Sequence, residues 1–228
     1  LSDGTVVVAN SGTSELRFFD SDGQFVRTVG RTGGGPGEFQ SENTIRALVR
    51  LPGDSLLTFD IYGQKLSRWA PNGDFVEASR LAISGRMYFW KGVFSDGTLL
   101  LALNNPAQPD IVDGSYPRRV RLVRFSASGD SIRVLMDYDE GSWHAKVQGE
   151  RVMLTEPPFA RQATSRAVGD RVCLALGEAN EYTLFDQTGA PILISRRRTP
   201  PVPVTEEDRV RHLEDKLRSV PEERRGLI

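Results

Sequence analysis

The chain has one cysteine, Cys173, and two histidines, His144 and His212, in 228 residues. A single thiol closes no internal disulfide, and inside the apolar run Val172 to Leu176 it reads as a small buried side chain. Tetrahedral zinc needs His or Cys ligands in a closed set, and neither histidine has a second His or Cys near it. There is no run of 18 apolar residues, the length a membrane-crossing helix requires. An excess of one charge is missing too. The net charge of −1 argues against a nucleic-acid-binding or membrane-surface protein as a whole.

Catalytic signatures are equally scarce. No Gly-x-Ser-x-Gly elbow occurs, and neither histidine is placed beside a plausible Ser and acid. The run Gly33-Gly-Gly-Pro-Gly37 lacks the Lys-Ser/Thr of a phosphate-binding loop, and strand or coil rather than a helix is expected after it. Helical periodicity is confined to Thr205–Val220. There Thr205 and Asp208 form a capping box, three acids occupy the first turn, and Val210, Leu213, Leu217 and Val220 make one apolar stripe. Glu207–Arg211 and Glu214–Arg218 are spaced as helical ion pairs.

What the chain has instead is a repeat. Asp3-Gly4, Asn10-Ser-Gly12 and Asp20-Ser-Asp-Gly23 are turn clusters separating short strands at Val6–Val8, Leu16–Phe19 and Phe25–Val29. The 19-residue spacing from Gly4 to Gly23 returns from Asp54 to Gly73 and from Asp170 to Gly189. A fourth copy, Gly97 to Gly129, is spaced by 32 residues and so carries a 13-residue insertion. In every copy an aromatic stands four residues before the turn glycine: Phe19, Trp69, Phe125 and Phe185. An apolar residue stands seven before it (Leu16, Leu66, Leu122, Tyr182), and a β-branched one three after it (Val26, Val76, Ile132, Ile192). Units of about 45 residues built from antiparallel strands are propeller blades. The fold expected is all-β, with one amphipathic helix near the C-terminus.

The run Gly30-Arg-Thr-Gly-Gly-Gly-Pro-Gly-Glu-Phe39, after a strand ending Arg27-Thr-Val29, resembles the blade connector of NHL-repeat proteins. Residues 1–198 resemble the bacterial six-bladed β-propeller proteins related to them, most clearly in the first copy. The resemblance implies four-stranded blades at about 1–30, 45–81, 87–138 and 161–198, then a Pro-rich linker at 199–204 and a helical excursion at 205–228. Four blades of an implied six suggest a fragment of an incomplete propeller, and exported relatives suggest a periplasmic or secreted location. Such propellers mostly present binding surfaces, so a non-catalytic module for a protein, glycan or small-molecule partner is the function implied. The alternative is a lactonase- or esterase-type hydrolase holding calcium in the channel. No cofactor is otherwise expected. Glu42, Asn43, Asn104 and Asn105 are the channel-end oxygen donors that such a cation would use.

Loops entering the innermost strand of a blade and loops leaving its second strand share one face. That places Phe39, Trp90, Trp143, His144 and Arg161 in one set, and Asn10, Asp60, Tyr62, Asn104 and Asn180 in the other. Aromatics and arginine on one rim suit a protein or glycan partner, while Asn10 and Asp60 also suit a purely structural role in their turns. The insertion, Asn104 to Arg118, is expected to be a long loop at one corner of the third blade, where a scaffold displays function. Residues 137–159 are irregular in pattern, with a hairpin suggested by Val147 and Val152. The chain is expected to be monomeric, with a coiled-coil dimer through the helix as the competing arrangement.

Overall fold

The computed structural model describes residues 1–83, 88–104, 112–149, 151–177, 179–200 and 202–219. Among them stand four antiparallel sheets, each a meander in chain order. The first holds β1 (Val6–Asn10), β2 (Glu15–Phe19) and β3 (Phe25–Val29). The second holds β4 (Ile45–Arg50), β5 (Leu56–Asp60), β6 (Lys65–Trp69) and β7 (Phe75–Arg80). The third holds β8 (Tyr88–Val93), β9 (Leu99–Asn104), β10 (Gly114–Phe125), β11 (Ser131–Gln148) and β12 (Arg151–Thr155). The fourth holds β13 (Thr164–Val168), β14 (Arg171–Leu176), β15 (Glu181–Phe185) and β16 (Pro191–Arg196).

The four repeat aromatics occupy one structural position. Each ends its strand, and each sits just past a register shift opposite the first residue of the next strand: Phe19 with Phe25, Trp69 with Phe75, Phe125 with Ser131, Phe185 with Pro191. The turns match as well. In each, the amide of the residue after the aromatic donates to the carbonyl of the residue after the glycine at 2.8–2.9 Å, and the glycine amide donates back to its carbonyl at 2.8–3.1 Å. Gly23, Gly73, Gly129 and Gly189 all have φ between 78° and 94°, a region that penalises a side chain. The repeat is therefore a three-dimensional one.

The sheets pack face to face in sequence. Leu16 and Phe18 of the first meet Leu56 and Trp69 of the second. Leu57, Phe59 and Leu66 on the second sheet's other face meet Tyr88, Leu99, Leu101 and Phe125 of the third. Leu100, Ala102, Val120 and Leu122 of the third then meet Val172 of the fourth. The first described strands of successive sheets (β1, β4, β8 and β13) lie beside one another in turn, as blades do around an axis. The outward faces of the first and fourth sheets lack this cover. Val6 is 53% exposed where its counterpart Leu56 is 3% exposed, and Tyr182 is 42% exposed where Leu66 is 1%. Cys173, between buried Val172 and Leu174, is only partly buried because alternation turns it to that outward face.

Two expectations need correction, and a third holds. The third sheet does not stop near residue 138, since β11 continues to Gln148 and β12 adds a fifth strand. The suggested hairpin is real, pairing Val147 with Val152. Much of the described insertion is not a loop: Gly114–Arg118 pairs with Gly141–Ala145 as a ribbon extending the blade. Residues 105–111, Met87 and Val220 lie outside the described residues. The helix α1 (Glu206–Ser219) begins with the capping box: the Asp208 amide donates to Thr205 Oγ1 (3.2 Å) and the Thr205 amide to Asp208 Oδ2 (2.9 Å). Arg211 pairs with Glu207 at 2.8 Å, whereas Arg218 pairs with Asp215 at 3.7 Å. His212 lays its ring against Phe159, centroids 5.2 Å apart, which ties the helix to the segment between β12 and β13.

Candidate functional site

The register of the second sheet shows how the loop face is built. Ile45 pairs with Asp60, so the segment entering β4 and the turn leaving β5 meet. Asp60 holds them together. It is 1% exposed, and its carboxylate accepts the Gln40 amide (2.6 Å), the Gly63 amide (2.8 Å) and the Thr44 hydroxyl. A carboxylate so saturated closes a turn and has little left for a ligand. Phe39 is likewise structural: it is fully buried and stacked on Trp69 at 5.9 Å. The Gly-rich connector closes on itself, with Glu38 accepting the Gly35 amide (2.7 Å) and pairing with Arg31 (2.6 Å).

Trp90 is half-buried between sheets, stacked on Phe59 at 5.5 Å. Asn10 is half-buried, and its carbonyl caps its own turn by accepting the Thr13 amide. Tyr62 stays on the rim, 64% exposed. Asn104 ends β9 with its Oδ1 buried and, among the described residues, unpartnered. Glu42 and Asn43 are both exposed. Asn43 has φ +57° and donates its amide to Ser11 O at 2.7 Å, a conformation asparagine tolerates. Among the described residues no three of His, Cys, Asp and Glu converge in a metal-holding group.

Trp143 and His144 stand in the ribbon of the third sheet, paired with Tyr116 and Ser115, and the Arg161 backbone lies near Gly141 of the same ribbon. The pairing steps from Arg118↔Gly141 to Arg119↔Asp139, so Glu140 is the extra residue of a β-bulge. A bulge re-aims a side chain, and this one sends a carboxylate inward. Glu140 meets Lys91 at 2.5 Å and Arg118 at 3.1 Å, with the Lys91 and Glu140 side chains 8% and 7% exposed. Arg118 also reaches Glu156 (3.6 Å) and lies over the Trp143 ring, 5.0 Å from its centroid. The Tyr138 hydroxyl sits 3.4 Å from Glu140 and 2.9 Å from Ser165 Oγ. Burial drives the Tyr138 phenol well above its ordinary pKa of 10.0, so it stays neutral. The Glu140 carbonyl accepts the Ala163 amide at 2.9 Å, linking the network to the segment that enters the fourth sheet.

Beside this network lies a groove of about 590 Å³ between the ribbon and the fourth sheet. Ser115, Pro117, Asp139 and Ser142 wall it on the ribbon side; Arg161, Ala163, Leu176 and Gly177 wall it on the other. Its floor is tight. A methyl at Gly177 would lie 2.4 Å from the Gln162 carbonyl oxygen, and one at Gly141 3.5 Å from that of Arg161. The Ser115 hydroxyl stands 3.5 Å from Nδ1 of the exposed His144, at the outer limit of a hydrogen bond. Sequence reasoning missed Lys91, Arg118, Tyr138 and Glu140. One signal was available: Lys91 interrupts an otherwise apolar strand, Tyr-Phe-Trp-Lys-Gly-Val-Phe, and a cation there needs a buried partner.

Among known proteins, residues 1–92 match the model of a family described as "6-bladed beta-propeller". No curated protein sequence matches the chain. Similar solved structures include a protein from Bacteroides fragilis NCTC 9343 (14% identity, TM-score 0.45), covering 85% of this chain and 68% of that one. A streptogramin B lyase (12% identity, TM-score 0.45) aligns over 88% of this chain and 67% of its own. BamB from Moraxella catarrhalis (13% identity, TM-score 0.37) aligns over 86% of this chain and 62% of its own. Residues 1–92 thus match a six-bladed β-propeller family, and the four sheets repeating one hairpin in one register have the all-β fold of propeller blades.

Proposed function

We propose that the protein is a non-catalytic binding module whose ligand site is the groove between the third-sheet ribbon and the fourth sheet. One observation carries this reading. The ribbon is held by a buried three-charge cluster, Lys91–Glu140–Arg118, far more fastening than a solvated excursion requires. Pockets of about 300–1,000 Å³ lined by apolar groups and a few placed polar ones are the usual ligand sites. Trp143, His144 and Arg161 belong to this site or its border, and Tyr62 to the same loop face. Phe39, Asp60 and Trp90 serve the fold, and Asn10 serves its own turn.

The experiment is a binding screen of the folded chain against peptide, glycan and small-molecule collections, repeated with Ser142→Trp. At least one class should bind, and the groove-filling variant should lose it. Lactone or ester hydrolysis abolished by a chelator would overturn the reading in favour of a calcium-dependent hydrolase, with Glu42 and Asn43 as the residues to substitute next. A monomer mass in light scattering is expected. An exported location, periplasmic or secreted, rests on the resemblance to exported propellers, and cell fractionation tests it. No described helix is long and apolar enough to cross a membrane.

A further inference from the structure

We infer that the free edge of β1 is an acceptor site for one extended segment of a partner polypeptide, which adds to the first sheet as a fourth, antiparallel strand. The site lies apart from the groove. β1 pairs with β2, and among the described residues no strand pairs with its other edge. In the second sheet that edge is filled by β4. With the turn glycines Gly23 and Gly73 aligned, Val6–Asn10 correspond to Leu56–Asp60, the residues along which β4 pairs. β8 on β9 and β13 on β14 fill the same edge of the third and fourth sheets. Three times in this molecule, then, the occupant of that edge is a single antiparallel strand.

The first sheet leaves uncovered what such a strand covers elsewhere. Leu57 and Phe59 are 3% and 0% exposed, whereas their counterparts Val7 and Ala9 are only partly buried, as is Leu48, which packs on the same cluster from β4. The Ile61 amide donates to the Thr44 carbonyl, just ahead of β4, at 3.0 Å. Ser11, the counterpart of Ile61, keeps its hydroxyl oxygen buried and, among the described residues, without a partner. Nothing blunts the edge either: Val-Val-Val-Ala-Asn has no charge and no proline, and it pairs with β2 without a bulge. A row of free main-chain donors and acceptors selects an extended backbone. The floor selects its side chains. Residues opposite one another in a ladder share a face, so the positions opposite Val7 and Ala9 must be apolar to lie against Leu48. β4 has Val49 and Ala47 at the equivalent places. The β1 strand of a second copy would bring β2 and β3 with it toward β4, which runs beside β1, whereas a lone segment brings no further strand.

The test adds a capped synthetic peptide, Thr44–Leu51 of this chain's own sequence, to the whole chain and follows hydrogen exchange by mass spectrometry. Before addition β1 should exchange faster than β5, which has a strand on each side. Saturating peptide should slow β1 by about tenfold or more and leave β5 unchanged. A peptide carrying Ala47→Asp and Val49→Asp should bind at least about tenfold more weakly, because carboxylates replace the two side chains that meet the floor. Those substitutions are in the peptide, so misfolding of the protein cannot imitate the loss. The inference is overturned if β1 is already as protected as β5, if the peptide slows nothing, or if both peptides slow β1 equally. A dimer mass in light scattering, with β1 protected, would give the edge to a second copy and overturn it as well.

Discussion

The second and third sheets begin from the same plan and finish differently. Both pair a buried leucine with a terminal aromatic, Leu56 with Trp69 and Leu99 with Phe125, before the same glycine turn. Four residues along, at the loop face, they diverge. The second sheet has Asp60, which collects three donors and closes the turn. The third has Leu103 at that place, no carboxylate to close on, and strands that run on into the ribbon. A turn that satisfies its own backbone needs no outside support, whereas a projecting ribbon does. The Glu140 bulge and its two cations supply it. The difference teaches that the repeat specifies the frame and the departures from it shape the candidate site.

The largest effect expected breaks the third sheet's side of this comparison. Glu140→Ala leaves Lys91 and Arg118 buried without their shared carboxylate and should cost about 3–5 kcal/mol in chemical denaturation. Pairing Lys91→Met with Glu140→Leu should restore most of that loss, because apolar replacement of a buried pair is often neutral. A loss under about 1 kcal/mol would mean the ions are solvated in a way their burial does not suggest.

Next come the shared turns. Gly23→Ala meets no neighbour and should cost the left-handed strain alone, about 1–2 kcal/mol. Gly129→Ala adds a contact 2.3 Å from the Arg80 carbonyl oxygen and should cost clearly more. Equal costs would show that the third turn is not held against the second sheet. On the second sheet's side, Asp60→Ala should cost about 1–3 kcal/mol through its orphaned donors.

The smallest effect sits where the two sheets join. Tyr88 donates its hydroxyl to Ile61 O at 2.5 Å, and burial together with the nearby Asp60 carboxylate pushes its pKa up to about 12. With the folded pKa raised above the ordinary 10.0, the neutral phenol is favoured in the folded state. Its contribution is therefore whole below about pH 10 and is lost as pH rises through about 12. Tyr88→Phe should cost about 1 kcal/mol at neutral pH and flatten the alkaline fall in stability. An alkaline limb identical in both proteins would remove Tyr88 from the account.

Much of this frame could be read before any coordinates. The aromatic–glycine spacing located all four hairpins because tight turns with φ > 0 admit few residues. The candidate site was less legible. Phe39 and Trp90 look like rim aromatics in sequence but are claimed by the packing between sheets, which one-dimensional spacing does not report. Glu140 was hidden for a different reason. Its inward direction comes from a bulge, and one extra residue reverses the face that alternation assigns. Arg161 could be placed at the groove from sequence because it precedes the strand entering a blade, a position the repeat itself defines.

Hydrogen exchange read by mass spectrometry tests the central claim, that the ribbon is a built part of the body. In the wild-type chain the amides of Gly114–Arg119 and Asp139–Ala145 should be protected to a degree approaching β5, and Glu140→Ala should release them while β5 stays protected. Exchange of the wild-type ribbon at the rate of an open loop would contradict the account, and the groove proposed beside it would have no wall.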